Sequence, residues 1–144
     1  MPLDPDTLKK LRREISFNET LRGRQLHFRT TWGLFSPKAI DEGTRLLLQH
    51  LEVQPDDRAI DLGCGYGPIG LTIAALAPQG EVLMVDKDFV AVEYANRNAE
   101  LNRLANAKAM LSDGLKHIGD ERFTLAVTNL PAKTSNEHYY LCLL

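Results

Sequence analysis

Apolar residues recur along this chain with two different periods, and the switches between them mark out its elements. Leu8, Leu11 and Ile15, spaced by three and four, predict a short helix capped by Asp6 or Thr7. Leu26, Phe28 and Thr30 then alternate with His27 and Arg29, so residues 19–21 and 25–31 read as a hairpin around Arg22-Gly23-Arg24. After Trp32-Gly33-Leu34-Phe35-Ser36-Pro37 the helical period returns over residues 38–51, with Ile40, Leu46, Leu47 and Leu51 inward, until Pro55-Asp56-Asp57 breaks it. From Arg58 onward strands and helices alternate. Strands are expected at 58–62, 81–86, 107–111 and 123–128, and helices at 68–77 and after the cap Asp88, where Val90, Val92, Ala95 and Leu101 form the buried side. Ser112-Asp113-Gly114 and a turn of helix at 115–118 connect the last two strands.

Alternation of this kind predicts an α/β fold: a Rossmann-like parallel sheet with helices on both faces, preceded by the N-terminal hairpin, with ligand bound at the carboxyl ends of the strands. Residues 1–31 are read as a helix and hairpin appendage and 32–144 as the ligand-binding domain. At 144 residues and 44% hydrophobic content, the chain suffices for one buried core. No apolar run approaches the roughly 20 residues of a membrane helix and the start lacks a signal-peptide pattern, so the expected location is cytoplasmic. Cys64 and Cys142 lack metal-ligand spacing, and His27, His50, His117 and His138 are scattered, so no metal is expected. The net charge of −2 excludes a globally basic surface, but residues 1–30 hold seven Lys and Arg against four Asp and Glu. That basic end could contact RNA phosphates, or be a solvated face.

The chemistry concentrates where strand 58–62 meets the next helix. Gly63, Gly65, Gly67 and Gly70 let the backbone double back and approach a ligand closely, and Pro68 suits a first helical turn. Gly65-x-Gly67-x-x-Gly70 fits a dinucleotide fingerprint, with Asp86 placed to hold a ribose hydroxyl; on that reading the chain is an NAD-dependent oxidoreductase. Asp61, two residues before the first glycine, argues the other way. A carboxylate is unfavourable beside a pyrophosphate and favourable beside a cationic ligand.

The pattern Asp61-x-Gly63-x-Gly65-x-Gly67, with Phe28-Arg29-Thr30-Thr31-Trp32-Gly33-Leu34-Phe35-Ser36, Ile40-Asp41-Glu42-Gly43-Thr44, Asp86, Asp113 and Thr128-Asn129-Leu130-Pro131, covers most of the chain from Leu26 onward. It resembles the small-methyltransferase (MTS) domain of class I S-adenosylmethionine (SAM) dependent methyltransferases, a group including ribosomal RNA guanine-N2 methyltransferases. The resemblance implies SAM as cofactor. It places Gly63, Cys64, Gly65 and Gly67 around the methionine moiety with Asp61 near its ammonium, and Asp86 on the ribose hydroxyls with Lys87 beside it. It also places Asp113 and Gly114 at the adenine, and Thr30, Gly33, Phe35 and Ser36 in the loop that closes over cofactor and substrate.

In the same resemblance Asn129-Leu130-Pro131-Ala132 stands where amino methyltransferases have Asn-Pro-Pro and an aromatic residue. An exocyclic amine is a poor nucleophile while its lone pair is delocalised. The Asn129 side-chain oxygen and the Leu130 carbonyl are the acceptors that would draw it toward tetrahedral geometry, and Asn129, Leu130 and Pro131 are the expected catalytic segment. Leu130 for proline loosens that segment, and Ala132 removes a stacking contact worth about 1 to 3 kcal/mol per base. The sheet is expected to lack its C-terminal strands, so that strand 123–128 is an apolar edge covered by a second copy or a further segment. The expected function is N-methylation of a base in RNA. The alternatives are methylation of a protein amide or small molecule, a SAM-binding module without turnover, and the oxidoreductase above.

Overall fold

The computed structural model describes residues 4–7 and 13–129. Within them β1 (Glu14–Leu21) and β2 (Arg24–Thr31) form an antiparallel hairpin with Phe17 opposite Phe28. Its two-residue loop, Arg22-Gly23, has φ of 52° and 77°, the double positive φ that suits the right-handed twist of paired strands. The cost of a positive φ at Arg22 is offset by its guanidinium, whose Nη1 donates to the carbonyls of Leu48 and Leu51 at the end of the next helix. One of the basic residues assigned to phosphate contact is therefore a helix cap. β1 is longer than expected and includes Ile15, which correspondingly is not helical; Leu8 and Leu11 lie outside the described residues. The helical turn at 5–7 is capped by Asp4, which takes the Thr7 N–H, rather than by Asp6 or Thr7.

α1 (Glu42–His50) begins four residues later than the periodicity suggests. Asp41 caps it by accepting from the Thr44 N–H. The delay changes which side faces in: Thr44 and Leu48 are buried, Ile40 is buried ahead of the helix, and Leu46 is 59% exposed.

β3 (Arg58–Leu62), α2 (Pro68–Leu76), β4 (Glu81–Asp86), α3 (Phe89–Leu101), β5 (Ala107–Leu111) and β6 (Leu125–Thr128) follow in order. The four strands form a parallel sheet in the order β5-β4-β3-β6, so the chain reverses direction across the sheet after β5. That reversal opens a crevice at the carboxyl ends of β3 and β6, the ligand position of open α/β sheets. Ala59, Val82 and Met84 pack into the main core with α2 and α3, while Ile60 and Val85 face the other side and meet Ile118 and Phe123 of the β5–β6 crossover. Among the described residues the three helices all pack on the first face, and the second is covered by the crossover, whose residues 115–118 form turns instead of the expected helical turn. Val90 and Leu101 of α3 are exposed; its buried side is Ala91, Val92, Tyr94, Ala95, Asn98 and Ala99. No helix among the described residues is long and apolar enough to cross a membrane.

The hairpin joins this core. Leu26 and Phe28 are buried with Tyr66 and Met84, and the rings of Phe17, Phe28 and Tyr66 stand 5.5 to 6.1 Å apart. Asn98 of α3 and Asn102, the C-cap one turn later, dock against β2. Asn98 exchanges hydrogen bonds with both the N–H and the carbonyl of Arg29, and Asn102 does the same with His27. Side-chain amides therefore bond the strand edge much as a neighbouring strand would.

Candidate functional site

Residues 63–67 cross from β3 to α2 over the end of β4, held by the Gly63 and Cys64 N–H groups, which both donate to the Val85 carbonyl. Positive φ at Gly63, Gly65 and Gly67, of 72°, 56° and 106°, makes this path possible. Gly70 serves packing: a Cβ there would lie 2.5 Å from Met84 Cγ and 3.0 Å from Asp61 Oδ2. The Asp86 carboxylate closes the turn, one oxygen accepting from Gly65 N–H at 2.9 Å and the other from Asp88 N–H at 2.9 Å. Each oxygen keeps a further lone-pair direction for a ligand.

Above this turn lies a cavity of about 530 Å³ whose wall includes Gly63, Cys64, Gly65, Asp86, Lys87, Gly114, Phe35, Gly33 and Asn129. These residues of the expected site are brought together from separate elements. Four others are placed differently. Asp61 sits beneath the turn, 1% exposed, with Oδ2 accepting from Gly70 N–H and Oδ1 without a partner among the described residues. Gly67 serves as the left-handed cap of α2. The Asp113 carboxylate is exposed and paired with Lys116, so the wall at that point is Ser112 and Gly114 instead. Thr30 is fully buried and donates to the Pro37 carbonyl, anchoring the loop that carries Gly33 and Phe35. Leu130 and Pro131 lie outside the described residues.

Tyr66 ties that loop to the glycine turn. Its hydroxyl, 2.9 Å from the Ser36 carbonyl, donates there, while its own carbonyl accepts from Asn98. Asp41 and Thr44, not singled out for the site from the sequence, also line the cavity and receive the Asn129 carboxamide nitrogen at 3.2 and 2.8 Å. The available signals were the capping pattern Asp41-x-x-Thr44, which by itself reports only a helix start, and the place of both residues in the matched segment 40–44, for which no role was assigned.

The electrostatics are acidic. Burial raises the Asp61 carboxyl to about 7; the Gly70 N–H opposes this and the neighbouring Asp86 charge adds to it. Burial, with the charges of Asp61 and Asp86, also pushes the Cys64 thiol well up, which makes it a packing group rather than a nucleophile. An unfolded aspartate titrates near 3.9, so between about pH 4 and pH 7 the folded chain holds a proton that the unfolded chain has lost. Stability should therefore fall as pH rises through that window, by at most about 4 kcal/mol, with the whole penalty present above it. Asp61→Asn, whose carboxamide oxygen can still accept from Gly70, should flatten this fall in thermal unfolding followed across pH. An unchanged pH profile would refute the assignment.

Five amides of the segment 63–70 are spent internally. Gly63 and Cys64 donate to Val85, Gly65 to Asp86, Gly67 to Cys64 and Gly70 to Asp61. A dinucleotide pyrophosphate needs such amides free and finds two carboxylates beside them, whereas a cationic ligand suits the same surroundings.

A family model, the methyltransferase small domain, matches residues 25–142. The chain belongs to the methyltransferase small domain family. This MTS domain is 35% identical over 119 residues to the uncharacterized protein YbxB of Bacillus subtilis, covering 81% of this chain and 59% of that protein. It is 35% identical over 100 residues to the ribosomal RNA large subunit methyltransferase G of Streptomyces avermitilis, covering 69% of this chain and 26% of that one. Among solved structures, a T. thermophilus 16S rRNA N2 methyltransferase in complex with AdoMet and guanosine superposes with a TM-score of 0.75 at 31% identity, over 82% of this chain and 33% of that one. The MTS domain thus spans less than two thirds of the length of each of these relatives.

Proposed function

We propose that this chain binds S-adenosylmethionine in the cavity and transfers its methyl group to an exocyclic amine of a base in RNA, ribosomal RNA being the substrate class. The observation that carries this reading is Asn129. It follows β6 at the carboxyl edge of the sheet, lines the same cavity as Asp86, and has both carboxamide N–H groups directed at Asp41 and Thr44. Its Oδ1 is thereby left as an acceptor, which is what an amine N–H requires.

The residues present suit SAM. The spare lone pairs of Asp86 match two ribose hydroxyls, and the Ser112–Gly114 segment stands at the adenine end. The carboxylates that line the cavity, Asp86 and Asp41, suit an ammonium and a sulfonium. When bound, SAM supplies a methyl carbon already activated by its positive sulfur. The task left to the chain is positioning: Asn129 would hold the amine in line, the N–CH3 bond would form as the S–CH3 bond breaks and S-adenosylhomocysteine leaves, and the amine proton would pass to solvent, with no covalent nucleophile of the chain called on. Relatives named as ribosomal RNA methyltransferases support the substrate class, and guanine N2 is the specific target we assign.

Calorimetric titration with SAM, S-adenosylhomocysteine and NAD, followed by label transfer from SAM to unmodified ribosomal RNA transcribed in vitro, tests the reading. Binding of SAM and its product but not NAD is expected. Asn129→Ala should keep SAM affinity within about twofold and lower transfer by about 100-fold, the scale set by loss of one aligned polar group. Binding of NAD alone would overturn the cofactor, full transfer by Asn129→Ala would overturn the role of Asn129, and SAM binding without any transfer by the wild-type chain would leave a binding module.

A further inference from the structure

Asn129 has two possible amide orientations, and only one offers an acceptor to an amine. The other would turn its NH2 toward the substrate and oppose an N–H with an N–H. The surroundings decide between them. Asp41 Oδ2 receives the Asn129 Nδ2 at 3.2 Å, and an ionised carboxylate can only accept, so it cannot face the amide oxygen. Thr44 Oγ1 receives the same nitrogen at 2.8 Å and spends its own proton on Asp41 Oδ1 at 2.6 Å. The bonds therefore run in one direction, from Asn129 through Thr44 to Asp41. Asp41 is further fixed as the cap of α1 by the Thr44 N–H at 3.2 Å.

Gly43 stands beside the contact between Asp41 and the carboxamide: a Cβ built there would lie 3.1 Å from Asp41 Oδ2, 3.2 Å from Asn129 Oδ1 and 3.6 Å from Asn129 Nδ2, so the missing side chain leaves this pairing room. Asp41, Gly43 and Thr44 thus come from one helix start and act on a residue more than eighty positions away in the sequence.

We infer that Asp41 and Thr44 are positioning residues that lock the Asn129 carboxamide with its oxygen toward the cavity, and so make the site selective for an N–H acceptor of the methyl group. The inference rests on the proposed methyl transfer for its consequence, but the lock itself is a property of the chain without ligand.

Two kinds of measurement test it. In 15N-resolved NMR of the free protein, the Asn129 side-chain NH2 should show two well-separated protons, slowed exchange and contacts to the Thr44 methyl. Asp41→Asn, which retains a good helix cap, should return those signals toward those of a free asparagine. In the transfer assay on in vitro transcribed ribosomal RNA, Asp41→Asn should leave SAM affinity and KM for RNA within about twofold and lower kcat by about ten- to a hundredfold, the range expected when a reacting group is misaligned. Thr44→Val should behave like Asp41→Asn, and Thr44→Ser should restore the wild-type rate. The double variant of Asp41→Asn and Asn129→Ala should be no slower than Asn129→Ala alone, because one residue acts through the other.

Free-asparagine signals for Asn129 in the wild-type chain, wild-type kcat in Asp41→Asn, or additive losses in the double variant would each overturn the inference. Absence of transfer by the wild-type chain would instead count against the proposed activity, and the NMR result would still decide the orientation of Asn129.

Discussion

Asp86→Ala is expected to weaken SAM binding by about 100-fold. Two hydrogen bonds from ribose hydroxyls to an ionised acceptor contribute roughly 1.5 kcal/mol or more each, and every 1.4 kcal/mol is a factor of ten in affinity. The effect has a second source. Asp86 receives the Gly65 and Asp88 N–H groups, so its removal also frees the glycine turn and the start of α3. Asp86→Asn separates the two: its single amide oxygen can hold one backbone N–H, and its NH2 cannot replace the second carboxylate oxygen, so an intermediate loss is expected. Calorimetry on the three proteins, with circular dichroism to verify the fold, provides the measurement. Unchanged affinity in Asp86→Ala would show that the ribose is held elsewhere.

The second large effect is on stability. Asn98 is fully buried and satisfies three backbone groups, the N–H and carbonyl of Arg29 and the carbonyl of Tyr66. Asn98→Ala leaves all three without this partner, and an unsatisfied buried polar group costs about 1 to 3 kcal/mol. With some relaxation, a loss of about 3 to 5 kcal/mol is expected, a large share of the 5 to 15 kcal/mol that holds a typical domain together. Urea unfolding should show the midpoint falling at unchanged slope. A loss below about 1 kcal/mol would mean that water or a neighbouring group takes over the bonds. Because the same asparagine connects β2 to the glycine turn, the variant should also weaken SAM binding under conditions where it remains folded.

The parallel sheet was legible because its strands are short apolar runs fenced by turn residues. Arg58–Leu62, Glu81–Asp86 and Ala107–Leu111 end where the glycine turn, the Asp88 cap and the Ser112-Asp113-Gly114 turn begin. Helix faces were read less accurately. In α1 the inward side depends on where the first turn starts, and Asp41, by capping Thr44, starts it late enough to bury Leu48 and expose Leu46. In α3 the apolar positions Val90 and Leu101 lie outside the buried stripe, whereas the polar Asn98 lies within it because its amide has strand backbone to bond.

At the site, the sequence named the strand-end chemistry and misjudged which atoms present it. Asp113 fits an adenine contact by spacing, but its side chain turns outward to Lys116 and leaves Ser112 and Gly114 at the wall. Asp61 reads as a ligand residue and instead lies under the turn, where lack of solvent raises its carboxyl to about 7. Local pattern reports that a carboxylate follows a strand. Whether it reaches the cavity or the core depends on the direction of one side chain, which the packing of Gly70 and Met84 sets for Asp61.

Sequence alone determined the order of elements, the parallel sheet, the glycine turn, Asp86 beside it and Asn129 at the end of β6, because each follows from short-range periodicity and turn chemistry. Only the tertiary structure decided what joins them. Asp41 and Thr44 orient Asn129, Asn98 bonds the hairpin to the glycine turn, and five amides of the segment 63–70 are taken by Val85, Cys64, Asp86 and Asp61. Most of these partners lie many residues apart, so hydrogen-bonding direction, rather than any local pattern, carries the proposal that the crevice takes a cation and Asn129 an amine.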